Sequence, residues 1–109
     1  MTVGEMAKAL QLTPVSVGDE SRPWFGVYIG DLLSWVMGRA SCDNVWITIM
    51  SNVNIVAVAT LVDVAAIVLA EGVTLEESVR NTATAKGVNI YTSEKTAYEL
   101  AKELAGLNP

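Results

Sequence analysis

Small polar residues follow three apolar runs in this chain of 109 residues: Ser51, Asn52 and Asn54 after VWITIM, Glu71 and Gly72 after VAAIVLA, and Thr92 and Ser93 after VNIY. A β-branched run that gives way to Ser, Thr or Asn marks a place where a buried strand turns toward a helix. Free backbone N–H groups gather at such turns, and a phosphate or carboxylate can bind them. Ser51, Asn52, Asn54, Thr92 and Ser93 offer neutral donors and acceptors, and Glu71 with Gly72 can hold a hydroxyl or a ribose. A fourth group, GDESRPWFG from Gly18 to Gly26, contributes Asp19, Arg22 and Gly26, which suit either an anion clamp or a salt bridge within a loop.

Each of these residues also has a structural use. Asn52 can cap a helix by accepting from an orphan N–H group, and Gly72 can supply the turn by which a strand leaves its sheet. An exposed salt bridge contributes only about 0–1 kcal/mol, so stability alone does not require Asp19 and Arg22 to pair. Asp31 reads as a helix cap and Asp63 as a polar stop between helix and strand, in preference to an acid–base pair.

Whole classes of chemistry are excluded by composition. The chain has no histidine and a single cysteine, Cys42. Ser-His-Asp and Cys-His nucleophiles, most zinc sites and an internal disulfide therefore fall away. Cys42 sits beside Asp43 without the positive surroundings that activate a thiol. No glycine-rich phosphate loop ending in Lys-Ser or Lys-Thr is present. No catalytic residue, metal ligand set or cofactor is assigned. Seven Lys and Arg against twelve Asp and Glu give a net charge of −5, which repels the phosphate backbone that dominates nucleic-acid affinity.

The elements that must position the polar groups follow from periodicity. Thr2 and Glu5 have capping-box spacing, and Met6, Ala7 and Leu10 give a short first helix one apolar face. Residues 12–17 predict a strand that Pro14 confines to an edge, and residues 18–30 form a long loop. Asp31 caps a helix to Ala40, with Trp35 off its apolar stripe. Val45–Met50 and Val64–Ala70 are buried strands, joined by a helix that Asn52 caps. Thr74 and Glu77 form a second capping box, ahead of a helix that carries Leu75, Val79 and Ala83 and ends at Gly87. A strand over 88–92 and a helix capped by Ser93 follow, and Gly106 with Pro109 closes the chain.

Strands alternating with helices predict one α/β domain over residues 1–109, with a mainly parallel sheet and helices on both faces. The stretch 45–70 is apolar enough to suggest a membrane span. Asp63 within it would cost about 2.5–3.5 kcal/mol at the centre of a span, which favours a buried interior instead. No basic segment followed by an apolar one opens the chain, and the expectation is a cytoplasmic protein with no membrane partner.

YIGDLLSWVMGRA, WITI followed by NVNIVAVATLVDVAAIVLAEG, and KGVNIYTSEKTAYELA resemble the DRTGG domain family, in the form of a small stand-alone bacterial or archaeal protein. The resemblance implies a fold similar to the amino-terminal domain of HPr kinase/phosphorylase. It also implies a regulatory or assembly role, since the domain occurs joined to phosphotransacetylases and to pyrophosphatases with nucleotide-binding CBS pairs. The segment that gives the family its name falls on the long loop, at Asp19, Arg22 and Gly26. Here Glu20 and Ser21 separate Asp19 from Arg22, and Val27 stands where a second glycine is expected.

Three function classes follow. The first is a non-catalytic module that senses a small anionic metabolite or nucleotide and alters a partner enzyme. The ligand would sit at the carboxyl ends of the strands, with the Asp19–Tyr28 loop closing over it and Arg22 supplying positive charge. The alternative is an assembly or adaptor protein without a small ligand, and the third is a small enzyme of phosphate or acyl chemistry. Trp24, Phe25, Tyr28 and Trp35 cluster around one loop and helix start, and large aromatics left at a surface predict a homodimer interface; the alternative is that Trp24 and Phe25 fold back as a lid over the monomer's own core.

Overall fold

A computed structural model describes residues 1–107. In chain order the elements are α1 (Val3–Ala9), β1 (Thr13–Ser16), β2 (Val27–Ile29), α2 (Leu33–Arg39), β3 (Val45–Thr48), α3 (Asn54–Val62), β4 (Ala66–Leu69), α4 (Glu77–Ala85), β5 (Ile90–Thr92) and α5 (Ala97–Leu107). Every residue of β3 and β4 is buried. Strands of that kind must be covered on both faces, which explains why they read as continuous apolar runs with no alternation.

The sheet has the order β1-β5-β4-β3-β2. β2, β3, β4 and β5 run parallel, and β1 lies antiparallel on β5 at one edge. Alternate side chains divide the core in two, as the two-residue strand period requires. Val45, Ile47, Ala66, Val68 and Tyr91 face α1 and α5, meeting Met6, Leu100 and Leu104. Trp46, Ile67, Leu69 and Ile90 face α2, α3 and α4, meeting Val36, Ile55, Ala59 and Val79. The expected α/β architecture is present, and among the described residues no helix is long and apolar enough to cross a membrane.

Local chemistry moves several boundaries. The capping box of Thr2 and Glu5 forms as expected, and β1 lies at an edge with a register irregularity between Pro14 and Ser16. The long loop, however, contains β2. Only three residues pair there, too few to show a period within a segment rich in glycine and aromatics. Asp31 does not cap α2: its Oδ1 accepts from the Thr48 hydroxyl at 2.7 Å and the Ile49 N–H at 3.0 Å, tying the end of β2 to the end of β3. Thr96 replaces Ser93 as the cap of α5, because Thr96 and Glu99 form the reciprocal box while Ser93 accepts from Lys95 N–H in a tight turn. Helix α5 continues through Gly106 to Leu107, and Pro109, expected to close the chain, lies outside the described residues.

One part-buried polar contact locks the loop between β1 and β2 to the sheet. Tyr91 is 1% exposed, and its hydroxyl donates to Glu20 Oε2 at 2.5 Å. Burial, then the hydrogen bond and charge of Glu20, push the Tyr91 phenol well above the ordinary tyrosine value. An unfolded tyrosine loses its proton near pH 10 while native Tyr91 keeps it, so the folded state binds more protons above that pH. Stability is therefore held below about pH 10 and falls as pH rises further. Denaturant midpoints measured across this range will decline for the wild type. The Tyr91→Phe variant will lose about 1 kcal/mol at neutral pH and show a shallower alkaline decline.

Candidate functional site

The carboxyl ends of β3 and β4 open on one cleft. After β3, the Asn52 side chain accepts from Asn54 N–H at 2.9 Å and the Asn52 carbonyl from Ile55 N–H at 3.2 Å. Helix α3 consequently begins at Asn54 with Val53 in the N-cap position, one residue later than expected. Asn52 still satisfies an orphan N–H group, though from outside the helix.

After β4 the chain reaches α4, whose first residue is Glu77 and whose N-cap, Glu76, makes no side-chain capping bond. The expected box between Thr74 and Glu77 is absent. It needs the glutamate in the third helical position, and Glu77 occupies the first. The N–H groups of Glu77, Ser78 and Val79 thus precede the helical ladder and have no side-chain cap. They lie beside a cleft of about 400 Å³ lined by Ser51, Asn52, Val53, Thr74, Glu76, Ser78 and Val79. Hydroxyl and amide groups face one carboxylate there, and neither lysine nor arginine is among the lining residues.

Glu71, Gly72, Thr92 and Ser93 stand at the same edge of the sheet but take part in bonds between the segments that follow β4 and β5. Glu71 N–H donates to the Lys95 carbonyl and Gly72 N–H to the Ser93 carbonyl, both at 2.8 Å, and the Thr92 hydroxyl donates to the Val73 carbonyl at 2.7 Å. Gly72 has φ 72°, and a Cβ there would stand 2.6 Å from Glu94 Oε2, so no other side chain fits without a shift. These bonds fasten the ends of β4 and β5 together, and none of the four residues lines the cleft.

Asp19, Arg22 and Gly26 lie at the opposite, amino-terminal edge, so the loop does not close over the carboxyl ends. Arg22 donates from Nε and Nη2 to Asp43 Oδ1 at 2.9 and 2.7 Å, from Nη1 to Asp63 Oδ1 at 2.9 Å, and from Nη2 to the Asp63 carbonyl at 2.6 Å. Partial burial works against its charge, but the bonds to Asp43 and Asp63 raise its pKa above the usual value. Asp19 does not pair with Arg22; it accepts from the Ser21 hydroxyl and N–H, which hold its carboxyl below the ordinary value. Gly26 has φ 74°, and its carbonyl accepts from Val45 N–H at 3.0 Å, which starts β2 beside β3.

A second cavity, about 160 Å³, lies at this amino edge among Asp19, Arg22, Asp63, Lys86 and Asn89. Its polar groups are largely spent: Arg22 makes four hydrogen bonds with its five N–H donors, and Asn89 donates to the Ala65 and Asp19 carbonyls while accepting from Gly18 N–H. The carboxyl ends of α3 and α4 also approach this edge, and their partial negative charge disfavours an anion. Cys42 is near the same cluster. Loss of hydration, then the Asp63 and Asp43 carboxylates, push its thiol up, away from nucleophilic use.

The four aromatics separate. Trp24 is 1% exposed and packs in the core with α1 and α5, so it is not an interface residue. Tyr28 is half-buried against the other core, while Phe25 and Trp35 are more than half exposed. The Arg39 guanidinium covers the Trp35 ring at 3.7 Å from its centroid. Thr74, Glu76 and Ser78 were missed as cleft residues because Thr74 and Glu77 already match a capping pattern. The partners of Arg22 were missed because Asp43 and Asp63 are distant in sequence.

No family model matches the sequence, and no curated protein does. Among solved structures, the chain is similar to the CBS and DRTGG domains of the regulatory region of Clostridium perfringens pyrophosphatase, complexed with its activator diadenosine tetraphosphate. The TM-score is 0.73 at 10% identity, over 94% of this chain and 45% of that one. This chain therefore spans less than half of that structure's length, and the likeness shows a DRTGG-like fold.

Arg22 is an anchor in this geometry. Truncating it strands two carboxylates that it bridges, although their partial exposure lets water replace some of the loss. Arg22→Ala is expected to destabilise the fold by about 1–3 kcal/mol in chemical denaturation, and Arg22→Lys to recover only part of this, because an ammonium cannot reproduce the fork.

Proposed function

We propose that this protein is a non-catalytic regulatory module of the DRTGG family that senses a small anionic metabolite or nucleotide in the cleft between the starts of α3 and α4, and that it acts on a partner enzyme. The single observation that carries this reading is the uncapped start of α4 beside a 400 Å³ cleft of hydroxyl and amide groups. Backbone N–H groups at that position suit a phosphate, and Glu76 suits the hydroxyls of a ribose or sugar. A hydrogen bond to a charged group contributes about 1.5–3 kcal/mol, so two or three N–H groups outweigh one neighbouring carboxylate across a solvated cleft.

The likeness to domains of a regulatory region supports the same role. The activator in that structure, diadenosine tetraphosphate, makes nucleotides the first ligands to try. The ligand site of this proposal excludes Arg22, which belongs to the other edge. In the same proposal the protein is cytoplasmic and a homodimer. The exposed apolar residues around β2 also favour a second reading, assembly through protein contacts without a ligand.

Thermal unfolding with a panel of nucleotides and sugar phosphates tests the proposal. A ligand at 100 times its Kd adds about 2.7 kcal/mol, which moves the midpoint by roughly ten degrees in a domain of this size. Asn52→Asp keeps an acceptor for Asn54 N–H but brings negative charge to the cleft, and should weaken an anionic ligand about tenfold with little change in unliganded stability. Arg22→Ala should leave the ligand-induced shift intact. No shift with any panel member overturns the ligand reading in favour of assembly.

A further inference from the structure

The two edges of the sheet differ in kind. β1 carries Pro14 and a register irregularity, both of which obstruct the addition of another strand. At the other edge, β2 has neither, and the segment WFGVYIG from Trp24 to Gly30 contains no charged residue. Val27 is 36% and Ile29 50% exposed.

The backbone of β2 is half used. In a parallel pair, alternate residues bond to the neighbouring strand. The Gly26 carbonyl accepts from Val45 N–H and Gly30 N–H donates to the Ile47 carbonyl, so the even-numbered residues 26, 28 and 30 face β3. The N–H and C=O groups of Val27 and Ile29 therefore point away from the sheet. Among the described residues nothing outside the sheet bonds to them.

We infer that β2 pairs antiparallel with β2 of a second copy of this chain, about a two-fold axis at Tyr28, to form a continuous ten-stranded sheet. Val27 of one copy then faces Ile29 of the other, and each such pair exchanges two N–H···O=C bonds, which uses every outward group of both strands. Tyr28 meets its symmetry mate on one face of the sheet, and the Val27–Ile29 pairs meet on the other.

Charge and area both select a second copy as the occupant. Each copy carries −5 overall, yet the seam brings two uncharged segments together and keeps the acids apart. With Phe25 and Leu32 flanking the strand and Trp35 a turn beyond, the half-exposed aromatics and aliphatics offer on the order of 500 Å² per copy. That gives about 1,000 Å² in all, the lower bound for a specific interface. The expected dimer is therefore reversible.

Sedimentation equilibrium from micromolar to submillimolar protein, joined to amide hydrogen exchange, tests this. A monomer–dimer equilibrium is expected, with the Val27 and Ile29 amides protected increasingly as concentration rises. Ile29→Lys, at an exposed position, should keep its circular dichroism and weaken association about tenfold or more. Leu61→Lys, on the exposed face of α3, should associate like the wild type. A wild-type monomer throughout the range overturns the inference and leaves the edge to a foreign strand. So does a dimer that persists in Ile29→Lys or leaves the Val27 and Ile29 amides unprotected.

Discussion

Burial of β3 and β4 on both faces is the constraint from which the rest of the structure follows. A strand covered on each side by helices meets water only at its ends, and its backbone must be satisfied entirely within the sheet. The four residues of each strand are buried, so no polar side chain can be placed along them except Thr48, which bonds to Asp31 at the strand's end. Polar chemistry is thereby forced to the two edges where strands give way to helices. The opposed helix termini then give those edges opposite electrostatic character.

At the amino edge the chain has used its polar groups for construction. Arg22 bridges Asp43 and Asp63, Asn89 bridges the Ala65 and Asp19 carbonyls, and Tyr91 secures Glu20. Each contact ties the loop that leads into β2 to an inner strand or to the turn before one, and together they hold β2 at its place beside β3. At the carboxyl edge the ends of β4 and β5 are knotted by main-chain bonds, but the space between α3 and α4 is left open with an uncapped helix beside it. In the proposed function, the first edge serves stability and the second serves binding.

The fold was legible in the sequence wherever burial wrote a continuous signal. The runs at Val45 and Val64, the helix between them and the Thr2 capping box all appear where periodicity puts them. β2 was not legible, because three half-exposed residues carry no period. The caps at Asp31, Thr74 and Ser93 were misplaced because only tertiary placement decides where a helix begins: Asp31 bonds across to Thr48 and Ile49, α4 starts at Glu77 rather than directly after Thr74, and Ser93 bonds within its own turn. In the site, Ser51 and Asn52 were readable as residues at a strand's end. The opposite placement of Arg22 was not, since its partners lie 21 and 41 residues away.

The most direct measurement is an amide chemical-shift titration with nucleotides, mapped along the chain. Binding at the carboxyl edge predicts shifts concentrated at Ser51–Asn54 and Glu77–Val79, with Asp19, Arg22 and Lys86–Asn89 unmoved. Shifts confined to that second group would put the ligand on the amino edge and contradict the division between the two ends of the sheet.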